Sequence, residues 1–204
     1  THAYMHVDLT QSIGKVPLDM TNIDLASISA HKLEGLKGSG ILVKKSFVPY
    51  VPLINGGEQE FGIRGGTSNA LVDMMFAKTL RLALENGKKY HSCIQEMHDR
   101  LIAGLKSIVE INSPSDAIAS TINFSYENIP SEVMQNALNE GGFMVSARST
   151  CDSKSMNPSY VLEAMGFSKK RASSCIRVSL SYHNTLEEVD RFIEVLKGVI
   201  QLYG

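Results

Sequence analysis

The 204-residue sequence predicts an α/β fold in two parts, and three observations carry that prediction. Short apolar stretches of strand length alternate with longer stretches of helical spacing. Glycine clusters separate them, at Gly56-Gly57, Gly65-Gly66 and Gly141-Gly142. The stretch before Gly87 is rich in strands and the stretch after it reads as βαβ-like, which divides the chain into residues 1–87 and 88–204.

The elements follow in order. Tyr4 to Leu9, Asp24 to Ile28 and Gly40 to Lys44 read as strands, and a glycine-rich loop runs from Gly56 to Gly66. From Ser68 to Glu85 the spacing of Leu71, Met74, Met75, Ala77, Leu80 and Leu82 is helical, and a second helix covers Tyr90 to Ile108. Strands return at Ser120 to Ser125, Phe143 to Ser146 and Ile176 to Ser181. Between them, a helix over Glu132 to Asn139 is ended by Gly141-Gly142. Another opens at Asn157-Pro158, an N-cap followed by proline in the first turn. The last helix starts at Thr185, with Glu188 three residues on to close a capping box, and runs to Leu202.

Composition narrows the function class. Hydrophobic residues make up 43% and charged residues 20%, the balance of a soluble globular protein. A formal net charge of −1 gives nothing that draws the chain to nucleic acid or an anionic membrane surface. No apolar run approaches the roughly 18 residues needed to span a bilayer. No signal peptide is visible in THAYMHVDLT, and the absence of an initiator Met suggests a piece of a longer protein. Cys93, Cys151 and Cys175 are odd in number and widely spaced. A disulfide framework or zinc site is therefore not expected, and a reducing cytoplasm fits. His2 and His6 are four apart in a strand-bearing segment, where that spacing builds no metal site.

The chemistry concentrates around SISAHKLEG, residues 27 to 35. Lys32 ends a buried strand and is followed by Gly35, Gly38 and Gly40, which let the backbone pass close to a neighbour. Such a lysine is either an ion-pair partner or a reactive amine. Asp8 and Gln11, in HVDLTQ, end the preceding strand. A carboxylate and a lysine at neighbouring strand ends are what pyridoxal 5'-phosphate (PLP) requires. The amine forms a Schiff base with the aldehyde, and the carboxylate keeps the ring nitrogen protonated.

HVDLTQSIGKVPLD, SISAHKLEGLKGSGILV, GGEQEFGIRGGTSN and SCIRVSLSYHNTLEEVD closely resemble cysteine desulfurases of the NifS/IscS kind, in the class V aminotransferase superfamily. The resemblance runs the length of the chain but covers only the family's C-terminal half. It implies the fold of type I PLP-dependent transferases, here part of the PLP-binding large domain followed by a small C-terminal α/β domain. It also implies a homodimer. The family's preceding half supplies a phosphate-gripping turn, a histidine stacked on the ring and an asparagine near the ring oxygen.

By that resemblance Lys32 is the Schiff-base lysine and moves the proton on the substrate's α-carbon. Asp8 pairs with the ring nitrogen and Gln11 hydrogen-bonds the ring hydroxyl. Ser29 and His31 hold the phosphate, for which hydroxyl and imidazole donors are suited. Thr67 reaches the phosphate of the neighbouring subunit; a helix N-cap is its other reading, and both roles are compatible. Arg177 lies in the apolar run Cys175 to Leu180, where a charge needs a partner. The resemblance gives it the substrate α-carboxylate, and a structural salt bridge is the alternative. Arg64 and His183 receive no role.

Cys151 lies in the polar stretch VSARSTCDSKSMNPSYV, which suggests an exposed loop, whereas Cys175 beside Ile176 reads as core and Cys93 as helix packing. The resemblance makes Cys151 the nucleophile that takes the sulfur of L-cysteine as a persulfide, leaving alanine. Ala147, Arg148, Ser149 and Thr150 stand where the family has Ser-Gly-Ser-Ala. Arg148 favours the thiolate and Asp152 opposes it. The implied sulfur acceptor is a protein such as an iron–sulfur scaffold, with thio-cofactor or tRNA thiolation as other destinations. Two other readings stay open: another class V enzyme, such as a selenocysteine lyase or aminotransferase, and a non-catalytic module for dimerisation or acceptor binding.

Overall fold

The computed structural model describes residues 3–147 and 158–204. The chain divides into two compact units, Thr1–Lys89 and Tyr90–Gly204.

In the first unit, β1 (His6–Asp8), β2 (Leu25–Ser29) and β3 (Gly40–Lys44) form a sheet in that order. β1 runs parallel to β2, with Val7 opposite Ala26 and Asp8 opposite Ser27, and β3 is antiparallel to β2. Alternation along β2 buries Ala26 and Ile28 while leaving Ser27 and Ser29 half-exposed. Leu9, Ile13, Ala30 and Phe76 complete the small core with them. The Asp24 carboxylate accepts from the Met5 backbone N–H at 2.9 Å and from Lys45 Nζ at 3.3 Å, which ties the β1 entry to the β3 exit.

A single helix, α1 (Ala70–Leu105), replaces the two expected helices. Gly87 does not break it: glycine lowers helix stability by only about 1 kcal/mol, and apolar residues continue in register on both sides. Phe76 belongs to the first core and Met97, Leu101 and Leu105 to the second.

The second unit carries β4 (Glu110–Ile111), β5 (Thr121–Ser125) and β6 (Cys175–Ser179), paired antiparallel throughout. The βαβ-like expectation fails here, because local patterns mark strands but not their direction. β4 is too short to have been read. The expected strand from Phe143 to Ser146 reduces to one bridge, Ser146 to Arg177.

α2 (Ser131–Glu140) ends at Gly141-Gly142 as expected, and α5 (Leu186–Tyr203) carries the Thr185–Glu188 capping box. Asn157 lies outside the described residues. The helix after it, α3 (Tyr160–Ala164), starts past Pro158, with Ser159 as its N-cap. The unforeseen α4 (Lys169–Ser173) is capped by Ser168 Oγ, which accepts from the Arg171 N–H at 3.1 Å. Arg171 then reaches Asn112 Oδ1 at 2.6 Å, the Ile111 carbonyl at 2.8 Å and Glu110 at 3.2 Å, and its guanidinium lies over Phe167. This fixes β4 against α4.

Two helical glycines test the packing in opposite directions. A Cβ at Gly104 would strike Ile193, whereas one at Gly198 meets nothing within 4 Å. Gly198→Ala is expected to stabilise the chain by about 0.5–1 kcal/mol, because alanine loses less backbone entropy on entering a helix. Gly104→Ala is expected to destabilise it by about 1–3 kcal/mol through overpacking. Chemical denaturation of both variants checks the signs.

Candidate active site

In the first unit the predicted residues leave β1 and β2 at the same edge, because the two strands are parallel. After Asp8 the chain turns inward at Leu9, only 2% exposed, and winds back: Ser12 and Ile13 both donate to the Leu9 carbonyl at 3.0 Å. Asp8 itself is exposed, and its carboxylate accepts the Thr10 backbone N–H at 2.9 Å. Its pKa lies below the ordinary 3.8, first through the Thr10 side-chain hydrogen bond and then through that backbone one. Asp8 is thus ionised at neutral pH, as a partner for a protonated ring nitrogen must be.

After Ser29, β2 passes into a single-turn 3-10 helix, Ala30–Leu33. Lys32 therefore sits one turn past the strand and not on its last residue. Ala30 is fully buried and anchors the turn, while His31 and Lys32 are exposed. Glu34 closes the turn in the left-handed region at φ 63°, and Gly35 donates to the Ala30 carbonyl at 2.9 Å. A Cβ on Gly35 would lie 2.9 Å from Ala30 Cβ, so the close approach requires glycine. Ser29 forms no cap with its side chain, and neither His31 nor Lys32 has a hydrogen-bond or ion-pair partner among the described residues.

Gln11 is committed to a partner that the sequence reading passed over: Lys15 Nζ donates to Gln11 Oε1 at 3.0 Å. Lys15 is half-buried and its pKa is lowered from 10.5, first by burial and then by repulsion from Lys32. The i,i+4 spacing in QSIGK was the available signal. Thr67 is exposed and is not the cap of α1; Asn69 Oδ1 takes that role by accepting from the Val72 N–H at 3.3 Å.

Arg177 belongs to the second unit, on β6 opposite Asn123. Its backbone exchanges two hydrogen bonds with Ser146, and its Nη2 donates to Ser146 Oγ at 3.2 Å. It forms no ion pair among the described residues, so the salt-bridge alternative finds no support there. Cys175 is buried as expected, in a small cluster with Leu162 and Ala172, and donates to the Ala147 carbonyl at 3.5 Å; Cys93 is half-buried against the larger core of the second unit. Cys151, Arg148 and Asp152 lie outside the described residues, as does His2. No cluster able to hold a metal ion occurs among the described residues.

The donor chemistry of the first-unit edge suits PLP. An ionised carboxylate, a lysine amine and uncommitted hydroxyl and imidazole donors match a ring nitrogen, an aldehyde and a phosphate.

This α/β architecture, with a carboxylate and a lysine at one strand edge, fits the aminotransferase class-V family. The aminotransferase class-V family matches residues 1–192, and the chain belongs to that family. It is 38% identical to a cysteine desulfurase of Sinorhizobium fredii, covering 98% of this chain and 53% of that protein. It is 37% identical to the cysteine desulfurase IscS of Methanosarcina thermophila (97% and 50%) and 33% to NifS of Azotobacter vinelandii (96% and 50%). A solved NifS-like protein superposes with a TM-score of 0.87 at 34% identity, over 98% of this chain and 53% of that one. The chain thus spans about half the length of the relatives it matches.

The Asp8 environment gives a direct test. Thr10→Val removes the hydroxyl donor, so the Asp8 pKa is expected to rise back toward 3.8, as read by carboxyl NMR titration. Because the folded-state pKa is the lower one, the stability Asp8 contributes is present above 3.8 and fades as pH falls through the folded value. Thr10→Val should carry less of that contribution above 3.8, so its stability should fall less than the parent chain's as the pH is lowered through the acid range.

Proposed function

We propose that this chain is the C-terminal half of a PLP-dependent cysteine desulfurase that converts L-cysteine to L-alanine and carries the released sulfur on Cys151. The observation that carries the reading is the parallel pairing of β1 with β2, which delivers Asp8 and the Ser29–Lys32 turn to one edge. The cysteine desulfurase relatives support it.

Lys32, Asp8, Gln11, Ser29 and His31 would hold the cofactor, with Thr67 serving the phosphate of a partner subunit. When bound, PLP supplies an electron sink for bonds broken at the substrate's α-carbon. The Lys32 amine removes and returns the proton at that carbon. Ionised Asp8 keeps the ring nitrogen protonated, which strengthens the sink. Arg177 holds the substrate carboxylate in a two-pronged guanidinium pair and so fixes which face of the α-carbon is presented. The Cys151 thiolate attacks the substrate sulfur; a sulfur–sulfur bond forms and the carbon–sulfur bond breaks, leaving a persulfide and the carbon skeleton of alanine. The persulfide then passes to an acceptor protein, of the kind that builds iron–sulfur clusters, in the cytoplasm. Val51, Leu53 and Phe61 are at least 87% exposed, and such an apolar surface fits a homodimer contact.

In the complete protein, Cys151→Ser is expected to retain the visible absorbance of bound PLP and to release no sulfide from cysteine. Lys32→Ala should lose the absorbance and the sulfide release alike without unfolding, since Lys32 is exposed and outside the core. Sulfide release by the serine variant would assign the nucleophile elsewhere.

The 204-residue chain by itself should bind PLP far more weakly than a protein as long as its relatives. The family's preceding half supplies further phosphate donors and the ring-stacking group. Charge-assisted hydrogen bonds of about 1.5–3 kcal/mol each make that loss worth orders of magnitude in affinity. PLP titration by absorbance on both proteins checks it, and equal affinity would contradict the expectation.

A further inference from the structure

We propose that Lys15 is the positioning residue that orients Gln11 toward the cofactor, an inference that rests on the PLP site proposed above. An ammonium has three donors and no acceptor, so the Gln11 amide atom facing Lys15 at 3.0 Å is the oxygen. The –NH2 end of the amide is then the end left for a ligand, and it donates to nothing among the described residues. That is the end a ring hydroxyl oxygen needs when it accepts a hydrogen bond. Without Lys15 the amide could turn its carbonyl toward the ring, where two oxygens would repel.

Packing holds Lys15 in place. Leu9 and Ile13 anchor the winding segment in the core. Gly14, immediately before Lys15, has φ +73°, and a Cβ there would lie 3.0 Å from Ala83 Cβ and 3.3 Å from Leu33 Cδ2. Leu33 directly follows Lys32. The Gln11–Lys15 segment is therefore pressed against the turn that carries Lys32, consistent with the mutual repulsion of the two ammonium groups. Lys15 thus has both an orienting contact and a fixed place beside the reactive amine.

The test uses the complete protein loaded with PLP and follows the visible absorbance of the bound cofactor against pH. A donor hydrogen bond to the ring oxygen favours its ionised form, so losing an oriented donor raises the midpoint. Lys15→Met is expected to shift the midpoint upward by about 0.5–1 unit. Lys15→Leu, which also lacks the donor, should do the same, and Lys15→Arg should restore the parent value. Gln11→Leu should shift the midpoint in the same direction. The Lys15→Met/Gln11→Leu pair should shift it no further than the larger single change, because the two residues act through one contact. An unmoved midpoint in Lys15→Met and Lys15→Leu, or fully additive shifts in the pair, would overturn the proposal and leave the PLP reading standing. Absence of any PLP-dependent absorbance in the unsubstituted protein would overturn both.

Discussion

Much of the first unit depends on one interaction, the parallel backbone ladder between β1 and β2. It sets Val7 against Ala26 and continues past the strand end through the Leu9 N–H to the Ser27 carbonyl at 2.9 Å. Parallel pairing makes both chains exit in the same direction, so whatever follows Asp8 and Ser29 shares one edge. The alternation of β2 then sorts chemistry by face. Ala26 and Ile28 go into the core while Ser27 stays half-exposed, its Oγ 2.8 Å from His6 Nε2 on the neighbouring strand. An antiparallel pairing of the same two strands would send Asp8 and Lys32 to opposite ends of the sheet.

Burial and function are separated by single residues at that edge. Leu9 follows Asp8 and is buried; Ala30 precedes His31 and Lys32 and is fully buried. His31 and Lys32 are thereby held by an adjacent apolar anchor instead of by their own hydrogen bonds, which leaves their donors uncommitted. Asp8 is the exception. Its two hydrogen bonds from Thr10 keep it ionised without neutralising it, as a cationic partner would.

In the second unit, Arg177 organises the approach to the cysteine segment. Its backbone pairs with Ser146 and its guanidinium reaches Ser146 Oγ, while the next-but-one residue toward the N-terminus, Cys175, donates to Ala147. On the far side, the Ser159 N–H meets the Ala172 carbonyl at 3.4 Å. Both described flanks of residues 148–157 are therefore tied to the β6 strand or the α4 helix that leads into it. The side chain proposed to hold the substrate carboxylate shares its strand with the tether of the proposed nucleophile's segment.

The sequence by itself determined the α/β class, β3, the end of α2, the capping box of α5, the buried Cys175 and the motifs that mark the family. These are local signals: a glycine pair after a helix, a threonine three residues before a glutamate, a cysteine beside isoleucine. Tertiary structure alone decided the rest. Gly87 could be read as a break because its cost is local, but packing on both sides carries α1 through it. Strand direction in the second unit was illegible because period-two alternation is the same for parallel and antiparallel neighbours. Asn69, and not Thr67, caps α1 because the cap is chosen by where the helix starts. Lys15 escaped notice for the same reason: its burial and its closeness to Lys32 come from Gly14 packing on Leu33 and Ala83, contacts between residues far apart in the chain.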